Sequence, residues 1–520
     1  MMKAPSNSFS ACASCRNKVL RSVHGVNQRN PGFRRAYVRP STAPKPQLDM
    51  KHIRLSPGLY EQNCIDRNYK AQSKNAWKVL ELFEQWKACQ VDARQLRERG
   101  NGLRRLLANV ASRSGEIQTD PDKDKNALHA EGKEIKEKLS SIEAKEKELV
   151  EQMDSLALEL PNLTSRHTPV GTEPDVIGYI NKHPSIDSDS TDRVWRSHVY
   201  IGSELGLLDF AGAATSSGYG WYYLLDEGAL LEQALIQYAL SVARKRGWKA
   251  VSPPSMVYSH IAAACGFQPR DQNGEQQIYA IEQAEKDKAK PPMVLAGTAE
   301  IPLAGLKAGQ NMEDVDLPLK LVGVNRCYRA EAGGRGTDTK GLYRVHEFTK
   351  VEMFAWTLPD TTEGETFAEE QKSYSEPIFN EMLDIQKEIL ESLGLHCRIL
   401  EMPSTDLGAS ATRKRDIEAF FPSRIEKDGG WGEVTSTSMC TDYQSRRLQT
   451  KVRLEKAGRK LEFPFTLNGT ALAVPRVLAA ILENNWDDKK MNVTIPKVLR
   501  PWMGGIEVIE SKKKQTERVQ

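Results

Sequence analysis

The stretch 325–352, NRCYRAEAGGRGTDTKGLYRVHEFTKVE, places Arg329, Arg344 and the carboxylates of Glu331 and Glu352 around a glycine-rich loop. Arg329 and Glu331 come before this loop, and Arg344 and Glu352 come after it. An arginine can make two parallel hydrogen bonds to phosphate oxygens, and its charge is permanent. The stretch therefore indicates a phosphate or nucleotide site, and the alternative is a solvated hairpin with ordinary surface charges.

Two strands must position these residues. Residues 327–328 precede the loop and residues 342–345 follow it, and both segments alternate as strands do. The glycines between 333 and 341 make the middle a turn region, so a hairpin is predicted. The aromatic ring of Phe348, which follows the second predicted strand, can lie flat against a nucleobase.

Length and composition bound the architecture. The chain has 520 residues, of which 39% are hydrophobic, so two or three domains are expected. The net charge of +4 is small, so nucleic-acid binding must come from local basic patches. No apolar run approaches the roughly 20 residues that cross a bilayer, and a soluble protein is expected. The eight cysteines are predicted to be reduced and structural, since the lone Cys12 and Cys15 pair is weak support for zinc.

The first 47 residues have the composition of a targeting segment. They contain nine lysines and arginines, many serines and alanines, and no Asp or Glu. This composition is typical of mitochondrial transit peptides, because the inner-membrane potential draws positive charge inward. Residues 1–47 are therefore predicted to be a disordered transit peptide to the mitochondrial matrix, with a processing region at 33–37. The alternative is a basic tail of a cytosolic protein.

Residues 77–160 carry a repeated apolar pattern. Two sets of apolar residues recur at alternating steps of three and four, which is the seam of a coiled coil. The first set is Trp86, Cys89, Ala93, Leu96, Leu103, Leu107 and Val110, and the second is Leu128, Ile135, Leu139, Ile142, Leu149, Met153, Leu156 and Leu160. Gly115 and Pro121 separate the sets, so an antiparallel helical hairpin is predicted within an N-terminal arm at 48–165.

The first helix of this arm has a basic surface. Its arginines are Arg94, Arg97, Arg99, Arg104, Arg105 and Arg113. Such a surface suits an RNA backbone, and the alternative is a dimerisation coiled coil with a solvated charged face.

One larger domain is predicted at 193–508. A linker rich in Pro, Asn, Ser and Thr is predicted at 166–192, and a basic tail at 509–520. Within the domain, residues 224–246 have apolar residues at helical spacing, and 247–254 reads as a strand stopped by proline.

Three further segments carry reactive or polar residues in a fixed order. TAE at 298–300 precedes the stretch 325–352, and WGEVTST at 431–437 and FTLNGTALAVPR at 465–476 follow it. This order resembles the class II aminoacyl-tRNA synthetases, and the stretch 325–352 resembles their motif 2 in its seryl-tRNA synthetase form. The chain also resembles that family at its start, LDMKHIRLSPGLY, and at its end, IPKVLRPWMGG, so the resemblance covers 48–505.

The resemblance implies an α+β fold. An N-terminal antiparallel coiled-coil arm is followed by a class II catalytic domain, which is an antiparallel sheet flanked by helices. Residues 224–254 correspond to motif 1, the dimer element, so a homodimer is expected. The arm is expected to grip the long variable arm of tRNA(Ser) through Arg94, Arg97, Arg104 and Arg105.

The resemblance also implies the site residues. Serine would be bound by Thr298, Ala299, Glu300, Arg329, Glu352, Asn468 and Thr470. ATP would be bound by Arg329, Ala330, Glu331, Val345, Phe348, Glu433, Val434, Thr435, Ser436 and Arg476. Mg²⁺ would be held by Glu433 and Ser436, whose hard oxygens this ion prefers. Arg329, Glu331 and Arg476 would be catalytic, with the adenine between Arg476 and Phe348.

The implied reaction has two steps. The serine carboxylate attacks the α-phosphorus of ATP to give seryl-adenylate and pyrophosphate, and the terminal ribose hydroxyl of tRNA(Ser) then takes the seryl group. Catalysis would rest on positioning and charge stabilisation. Two alternatives are a catalytically inactive synthetase-like paralogue that binds tRNA or acts as a scaffold, and an amino-acid ligase that acts on a carrier protein.

Three positions depart from the family pattern. Tyr328 and Glu347 stand where the family usually has Phe and Gln, and Met439 stands where it usually has Asn. The first change keeps an aromatic ring, and the second adds a negative charge beside the nucleotide site.

Overall fold

The computed structural model describes residues 43–112, 121–183, 194–267, 277–288, 290–331, 341–360, 373–455 and 458–511, without the side chains of 109–112 and 121–125. Several predictions fall outside these residues: the transit peptide up to residue 42 with its processing region, the Cys12 and Cys15 pair, Arg113 and the arm's turn at Gly115, the end of the linker at 184–192, the glycines from 333 to 336, and the tail beyond 511.

Two long helices form the predicted arm. The helices at this end of the chain are α1 (Met50–Leu55), α2 (Pro57–Asp66), α3 (Asn75–Ser112) and α4 (Pro121–Leu158). The two long ones, α3 and α4, have 38 residues each, which corresponds to about 57 Å of helix. They run antiparallel, because Arg99 contacts Glu131 (2.7 Å) while Asn75, at the start of α3, contacts Glu159 beyond the end of α4 (2.9 Å). The predicted helical hairpin is confirmed.

The seam of the arm is built as its spacing predicts. Cys89, Ala93 and Leu103 of α3 are buried, as are Ile135 and Leu149 of α4. Most positions between these residues are exposed, since two helices can cover only a narrow stripe of each other.

A buried arginine fixes the root of the arm. The guanidinium of Arg67, which is 1% exposed, donates to the carbonyl oxygens of Asn162 and Gly408. The side-chain amide of Asn162 in turn donates to the carbonyl oxygens of Ser410 and Cys440, both at 2.9 Å. Buried polar groups of this kind are costly to leave unpaired, so the helical root and the larger domain are held together by hydrogen bonds.

An eight-stranded sheet organises the larger domain. In chain order, the strands and helices of this domain are β1 (Asp175–Ile180), α5 (His198–Glu204), β2 (Leu208–Asp209), α6 (Phe210–Ser216), β3 (Tyr223–Leu224), α7 (Glu227–Lys245), β4 (Lys249–Val251), β5 (Met256–Tyr258), α8 (Ser259–Ala264), β6 (Met293–Leu295), α9 (Glu300–Gly305), β7 (Asn311–Glu313), β8 (Leu319–Tyr328), β9 (Glu347–Thr357), α10 (Glu376–Ser392), β10 (Cys397–Glu401), β11 (Arg413–Phe420), α11 (Ile425–Asp428), β12 (Trp431–Thr441), α12 (Tyr443–Leu448), β13 (Lys451–Leu454), β14 (Lys460–Glu462), β15 (Phe465–Ala473), α13 (Val474–Asn484), β16 (Trp486–Asp487), β17 (Asn492–Thr494) and β18 (Val508–Glu510). The strand order is β1-β10-β11-β12-β15-β9-β8-β4, and among the described strands of this sheet only β4 and β8 pair in parallel. The predicted antiparallel sheet flanked by helices is confirmed.

The strand β9 shows how the two faces of the sheet are used. Val351 and Met353 belong to the main core, which includes buried residues of α7, α10 and α13. Phe354 and Trp356 point to the opposite face and pack in a second core with residues of α8 and α9. Because alternate residues of a strand share a face, Glu352 lies on the face of Phe354 and Trp356. That face holds the candidate site.

The predicted linker at 166–192 needs a correction. Strand β1 lies within it and forms the edge of the main sheet, antiparallel to β10. Most side chains of β1 are exposed, and Tyr179 is exposed by 63%, so no buried alternation marks this strand in the sequence.

The predicted hairpin is present, but its second strand begins later than expected. Strands β8 and β9 pair antiparallel, and β9 begins at Glu347, so residues 342–345 are not a strand. Their backbone groups bind side chains instead: the N–H of Leu342 donates to Nε2 of His198 (3.0 Å), and the carbonyl oxygen of Tyr343 accepts from Nε of Arg476 (3.0 Å).

The described residues contain neither a membrane-spanning helix nor a disulfide. No helix in the described ranges is long and apolar enough to cross a membrane. The six cysteines in these ranges are buried and form no disulfide.

Candidate active site

An open cleft of about 550 Å³ lies beside β9, β12, β15 and the start of α13. The predicted residues that line it are Arg329, Glu331, Val345, Phe348, Glu433, Val434, Thr435, Ser436, Thr470 and Arg476. Tyr343, Arg344 and Lys350 line it as well. The fold thus brings residues from four separate segments of the chain to one place.

Arg476 is held rigidly at the wall of the cleft. It lies in the first turn of α13, directly after Pro475. Its Nη1 donates to the backbone oxygen of Glu433 (2.9 Å) and to Oε2 of the same residue (3.0 Å). Its Cζ is 4.4 Å from the ring centre of Tyr343. Phe348, the predicted second partner of an adenine, lines the same cleft.

Arg329 follows the end of β8. Its N–H donates to the carbonyl oxygen of His346 (2.9 Å), which continues the β8–β9 pairing toward the loop. Its Cζ is 5.2 Å from the ring centre of Phe348. The N–H of the next residue, Ala330, donates to the carbonyl oxygen of Gln277 (3.1 Å), and Ala330 does not line the cleft. The guanidinium of Arg329 is therefore presented to the cleft from an anchored backbone.

Glu331 has an unusual backbone conformation for a residue with a side chain. Its φ is 47°, in the left-handed region. Its carboxylate is 3.6 Å from Nη1 of Arg344, and both residues line the cleft. Strained residues of this kind persist where the surroundings fix them, and they concentrate at functional sites.

The predicted metal ligands Glu433 and Ser436 lie three residues apart on β12. Burial opposes the ionised form of Glu433, but Arg476 and Lys414 outweigh it and hold the pKa of Glu433 well below its ordinary value. The side chain of Glu433 is 39% exposed, so its oxygens can be reached by a ligand.

Glu433 and Ser436 suit a metal ion that takes its remaining ligands from water and phosphate. Among the described residues, no group of three or more His, Cys, Asp and Glu side chains is arranged to hold a metal. Mg²⁺ takes few protein ligands and keeps waters and phosphate oxygens. Asp416 adds to the fit, because it pairs across the sheet with Ser436, is 3% exposed, and its Oδ1 has no hydrogen-bond partner in the described ranges.

The predicted serine-binding residues form a buried cluster beside the cleft. Those that do not line the cleft itself are Thr298, Ala299, Glu300, Glu352 and Asn468, and all are buried. Oε2 of Glu352 accepts from Oγ1 of Thr470 (3.2 Å) and lies 2.7 Å from Nζ of Lys350. Since Thr470 and Lys350 both line the cleft, the cluster adjoins it directly.

Glu300 anchors this cluster from the side of α9. Its Oε1 accepts from Nδ2 of Asn468 (3.0 Å) and from Nε2 of Gln444 (2.6 Å). Its backbone N–H donates to Oγ1 of Thr298 (3.4 Å). Desolvation, reinforced by the nearby Glu352, raises the pKa of Glu300 to about 8. The carboxyl group of Glu300 is therefore mainly protonated at neutral pH.

Glu300→Gln is expected to remove a pH dependence of stability. Folding raises this pKa from 4.5 to about 8, so the native state holds a proton that the unfolded chain releases. The stability that this proton brings is fully present below about pH 4.5 and is lost as the pH rises toward 8. Glutamine keeps the acceptor oxygen but cannot ionise. Between about pH 6 and about pH 8.5, the Tm of the wild type should fall by roughly 3–5 °C more than that of the variant; equal falls would contradict this.

The three residues that depart from the family pattern, Tyr328, Glu347 and Met439, have partners nearby in the fold. Oε1 of Glu347 lies 3.7 Å from Nε of Arg326, and Glu347 also hydrogen-bonds to Tyr328, its partner across the strand pair. The added charge is thus paired within the hairpin. Met439 is 8% exposed and packs in the main core, with its sulfur 3.8 Å from the hydroxyl oxygen of Ser375.

The predicted tRNA-binding arginines lie on the arm and not at the cleft. Arg94, Arg97, Arg104 and Arg105 are all exposed on α3. Nη2 of Arg97 is 3.5 Å from a carboxylate oxygen of Glu143, an exposed pair of the kind that contributes little to stability. These side chains can therefore be recruited by another partner.

Lys350, Gln444 and Tyr343 are among the site residues that were missed from the sequence. Lys350 could have been found, because it stands two residues before Glu352 and the two therefore share a strand face. Gln444 and Tyr343 gave no such signal. Gln444 reaches Glu300 across 144 positions of sequence, and Tyr343 meets Arg476 across 133, so both contacts depend on the tertiary fold.

Two family models match the chain. The model of the seryl-tRNA synthetase N-terminal domain matches residues 48–164. The model of the tRNA synthetase class II core domain (G, H, P, S and T) matches residues 279–485. The first covers the helical arm, and the second covers β6 through α13 with the whole cleft.

Curated relatives and a solved structure agree with these matches. The mitochondrial serine–tRNA ligase of Saccharomyces cerevisiae is 39% identical over 89% of this chain and 95% of its own length. That of Mus musculus is 36% identical over 88% of this chain and 83% of its own length. The crystal structure of seryl-tRNA synthetase from Pyrococcus horikoshii complexed with ATP has a TM-score of 0.77 at 30% identity, covering 89% of this chain and 99% of that chain. With its arm, its sheet and its ordered motifs, the chain belongs to the seryl-tRNA synthetase family of the class II aminoacyl-tRNA synthetases.

Proposed function

We propose that this chain activates L-serine with ATP and transfers it to tRNA(Ser) for mitochondrial translation. One observation carries the proposal: the cleft gathers two fixed arginines, Arg329 and Arg476, beside a buried cluster of hydroxyl and carboxyl groups around Glu352. Such a site can hold a nucleotide and a small polar amino acid side by side. The relatives named serine–tRNA ligase support the same activity.

The nucleotide is held by residues of β9, β12 and α13. The adenine lies against the guanidinium of Arg476 on one side and Phe348 on the other, by cation–π attraction and stacking. Glu331 and Val345 contact the edge of the base. Arg329 meets the α-phosphate, where its planar fork can bind two oxygens at once.

Serine is recognised by its hydroxyl and ammonium groups. Glu352 is 1% exposed, so an ammonium or hydroxyl donor that reaches it does so without competing water. Thr470 already donates to Glu352 and fixes the carboxylate in place. Asn468, Thr298 and the protonated Glu300 complete a polar pocket around the substrate.

Activation is an in-line displacement. A carboxylate oxygen of serine forms a bond to the α-phosphorus, the bond from that phosphorus to the bridging oxygen breaks, and pyrophosphate leaves. Arg329 binds both the serine carboxylate and the α-phosphate, so it brings two negative groups together and stabilises the charge that develops. In the second step the terminal ribose hydroxyl of tRNA attacks the seryl carbonyl carbon, and AMP leaves.

Glu433 and Ser436 are the residues that would hold Mg²⁺ with the phosphates of ATP. When bound, such an ion neutralises phosphate charge and orients the leaving pyrophosphate. The low pKa of Glu433 keeps its carboxylate ionised for this role, and Arg476 holds its orientation.

Three further proposals concern partners and location. The exposed arginines of α3 grip the tRNA far from its acceptor end. Two copies of the chain form a homodimer through α7 and β4, the elements that correspond to motif 1. The acid-free N-terminal segment and the mitochondrial relatives support delivery to the mitochondrial matrix.

The proposed function is tested by ATP–pyrophosphate exchange and by charging. The purified chain should exchange pyrophosphate into ATP when serine is present and should charge a tRNA(Ser) transcript with serine. An inactive paralogue that only binds tRNA would show neither activity while still retaining the transcript. A ligase that acts on a carrier protein would exchange pyrophosphate but leave tRNA uncharged.

A further inference from the structure

A buried hydrogen-bond network lies next to the nucleotide cleft. Its centre is Glu483 of α13, which is 1% exposed. The carboxylate of Glu483 accepts from the N–H and the hydroxyl of Ser423 (3.0 and 2.8 Å). It also accepts from the N–H of His198 (3.1 Å) and pairs with Nδ1 of that histidine (2.7 Å). None of these three residues lines the nucleotide cleft.

The network fixes the tautomer of His198. Nε2 of His198 lies 3.0 Å from the backbone nitrogen of Leu342, and a backbone N–H can only donate. Nε2 must therefore be the acceptor, and the ring proton sits on Nδ1, from which it is donated to Glu483. His198 thus connects helix α13 to the segment that returns from the glycine-rich loop.

The returning segment also rests on the ring of His198. A Cβ atom added to Gly341 would lie 3.0 Å from Cε1 of His198 and closer still to Nε2. No side chain fits between this backbone and the imidazole. The close approach and the hydrogen bond from Leu342 are separate observations that place the same segment on the same ring.

The position of residues 341–345 determines part of the wall of the nucleotide cleft. Tyr343 follows Leu342, its carbonyl oxygen accepts from Nε of Arg476, and its ring lies 4.4 Å from Cζ of that arginine. Residues 342–345 pair with no strand among the residues that the structure describes. A displacement of Leu342 would therefore carry Tyr343 with it and weaken the hydrogen bond and ring contact that Tyr343 gives to Arg476, leaving the guanidinium with its two hydrogen bonds to Glu433.

We propose that His198 is a positioning residue for ATP: through Leu342 it holds Tyr343, and through Tyr343 it holds the guanidinium that lies against the adenine. The inference rests on the proposed function, because it takes Arg476 as the adenine partner. His198 acts without touching the nucleotide, so its loss should weaken ATP binding and leave the serine pocket unchanged.

Two substitutions test the roles of the two ring nitrogens of His198 separately. In His198→Asn the amide nitrogen takes the place of Nδ1 and can still donate to Glu483, but nothing accepts from Leu342. In His198→Gln the longer side chain carries an acceptor oxygen to the distance of Nε2. The Asn variant should raise KM for ATP about tenfold, the effect expected if the wall is correctly placed in only about a tenth of the free molecules, with kcat and KM for serine within about twofold. The Gln variant should restore KM for ATP to within about threefold.

Ser423→Ala is the matched control. It removes one donor to Glu483 on the side away from Leu342, so it should lower Tm without raising KM for ATP. Gly341→Ala is the second probe, because its added Cβ pushes the segment off the ring while His198 is intact. It should reproduce the selective rise in KM for ATP.

The measurements are exchange kinetics with ATP and serine varied separately, calorimetric titration of ATP alone, and Tm for each variant. Weakened ATP binding in His198→Asn and Gly341→Ala, but not in Ser423→Ala, supports the proposal. A loss of Tm with unchanged ATP affinity, or equal changes in both KM values, overturns it. If the wild type binds ATP but shows no serine-dependent exchange, the proposed function fails, while the titration still decides the role of His198.

Discussion

Arg329→Lys is expected to lower the kcat/KM of serine activation by about 10²–10³-fold, although the positive charge is kept. A lysine ammonium is a point charge and cannot bind two oxygens in one plane. In the structure the backbone of Arg329 is fixed by its hydrogen bond to His346, and its guanidinium lies over Phe348 in the cleft. The single ammonium of a lysine at this position cannot bind the α-phosphate and the serine carboxylate at the same time.

Arg326→Lys is the matched control for this variant. Arg326 lies on the same strand, β8, where it pairs with Glu347 and Glu232 and does not line the cleft. Its substitution should leave serine-dependent exchange within about twofold of the wild type. Near wild-type exchange in Arg329→Lys would show that Arg329 does not hold the role assigned to it.

Replacing residues 98–142 by a short loop should lower tRNA charging by ~100-fold or more while leaving serine activation nearly intact. Arg97 and Glu143 face each other across α3 and α4, so a short loop can join the helices at that level. The cut removes the distal arm with Arg104 and Arg105. It leaves the buried root around Arg67 in place, so the larger domain should fold as before.

Salt dependence distinguishes an RNA grip from other roles of the arm. Because bound arginines displace counterions, Arg104→Ala should reduce the salt slope of tRNA binding by about 0.9. A dimerisation arm would behave differently, since its loss would give monomers and lower both activities together. Sizing of the truncated protein, with exchange and charging measured on the same sample, tells these outcomes apart.

The periodic parts of the fold could be predicted from the sequence. The seam through Cys89, Ala93 and Leu103 is a local pattern, and helix pairing follows from the break near Gly115. The helical spacing over residues 224–246 is a local pattern of the same kind, and helix α7 forms there at Glu227–Lys245. In each case neighbouring residues carry the information.

The failures involve contacts between distant segments. Residues 342–345 alternate like a strand, yet their backbone groups bind His198 and Arg476 instead of a neighbouring strand. Strand β1 has mostly exposed side chains, so it looks like linker until β10 pairs with it. Such partners are fixed by the tertiary fold and leave no periodic signal.

The residues of the candidate site also fall into two groups: those that a motif or a spacing indicates, and those that only the tertiary fold brings together. Motif residues such as Glu352 and Arg476 could be named from a resemblance, and Lys350 follows from its spacing to Glu352. The pairing of Asp416 with Ser436 depends on the register of β11 against β12, which has a shift between Ile417 and Glu418. That register cannot be derived from either strand alone.

The claim that this cleft is a serine-activating site is tested most directly by ATP–pyrophosphate exchange across the amino acids. A buried site built to bond the substrate hydroxyl should reject alanine by about 10⁴-fold or more, because Glu352 would lose a donor. Threonine, which keeps the hydroxyl and adds one methyl group, should be the closest competitor, rejected by roughly 10 to 200-fold. Exchange that is strong with serine, weaker with threonine and near background with alanine is the expected result; alanine close behind serine would contradict hydroxyl recognition by Glu352 and Thr470.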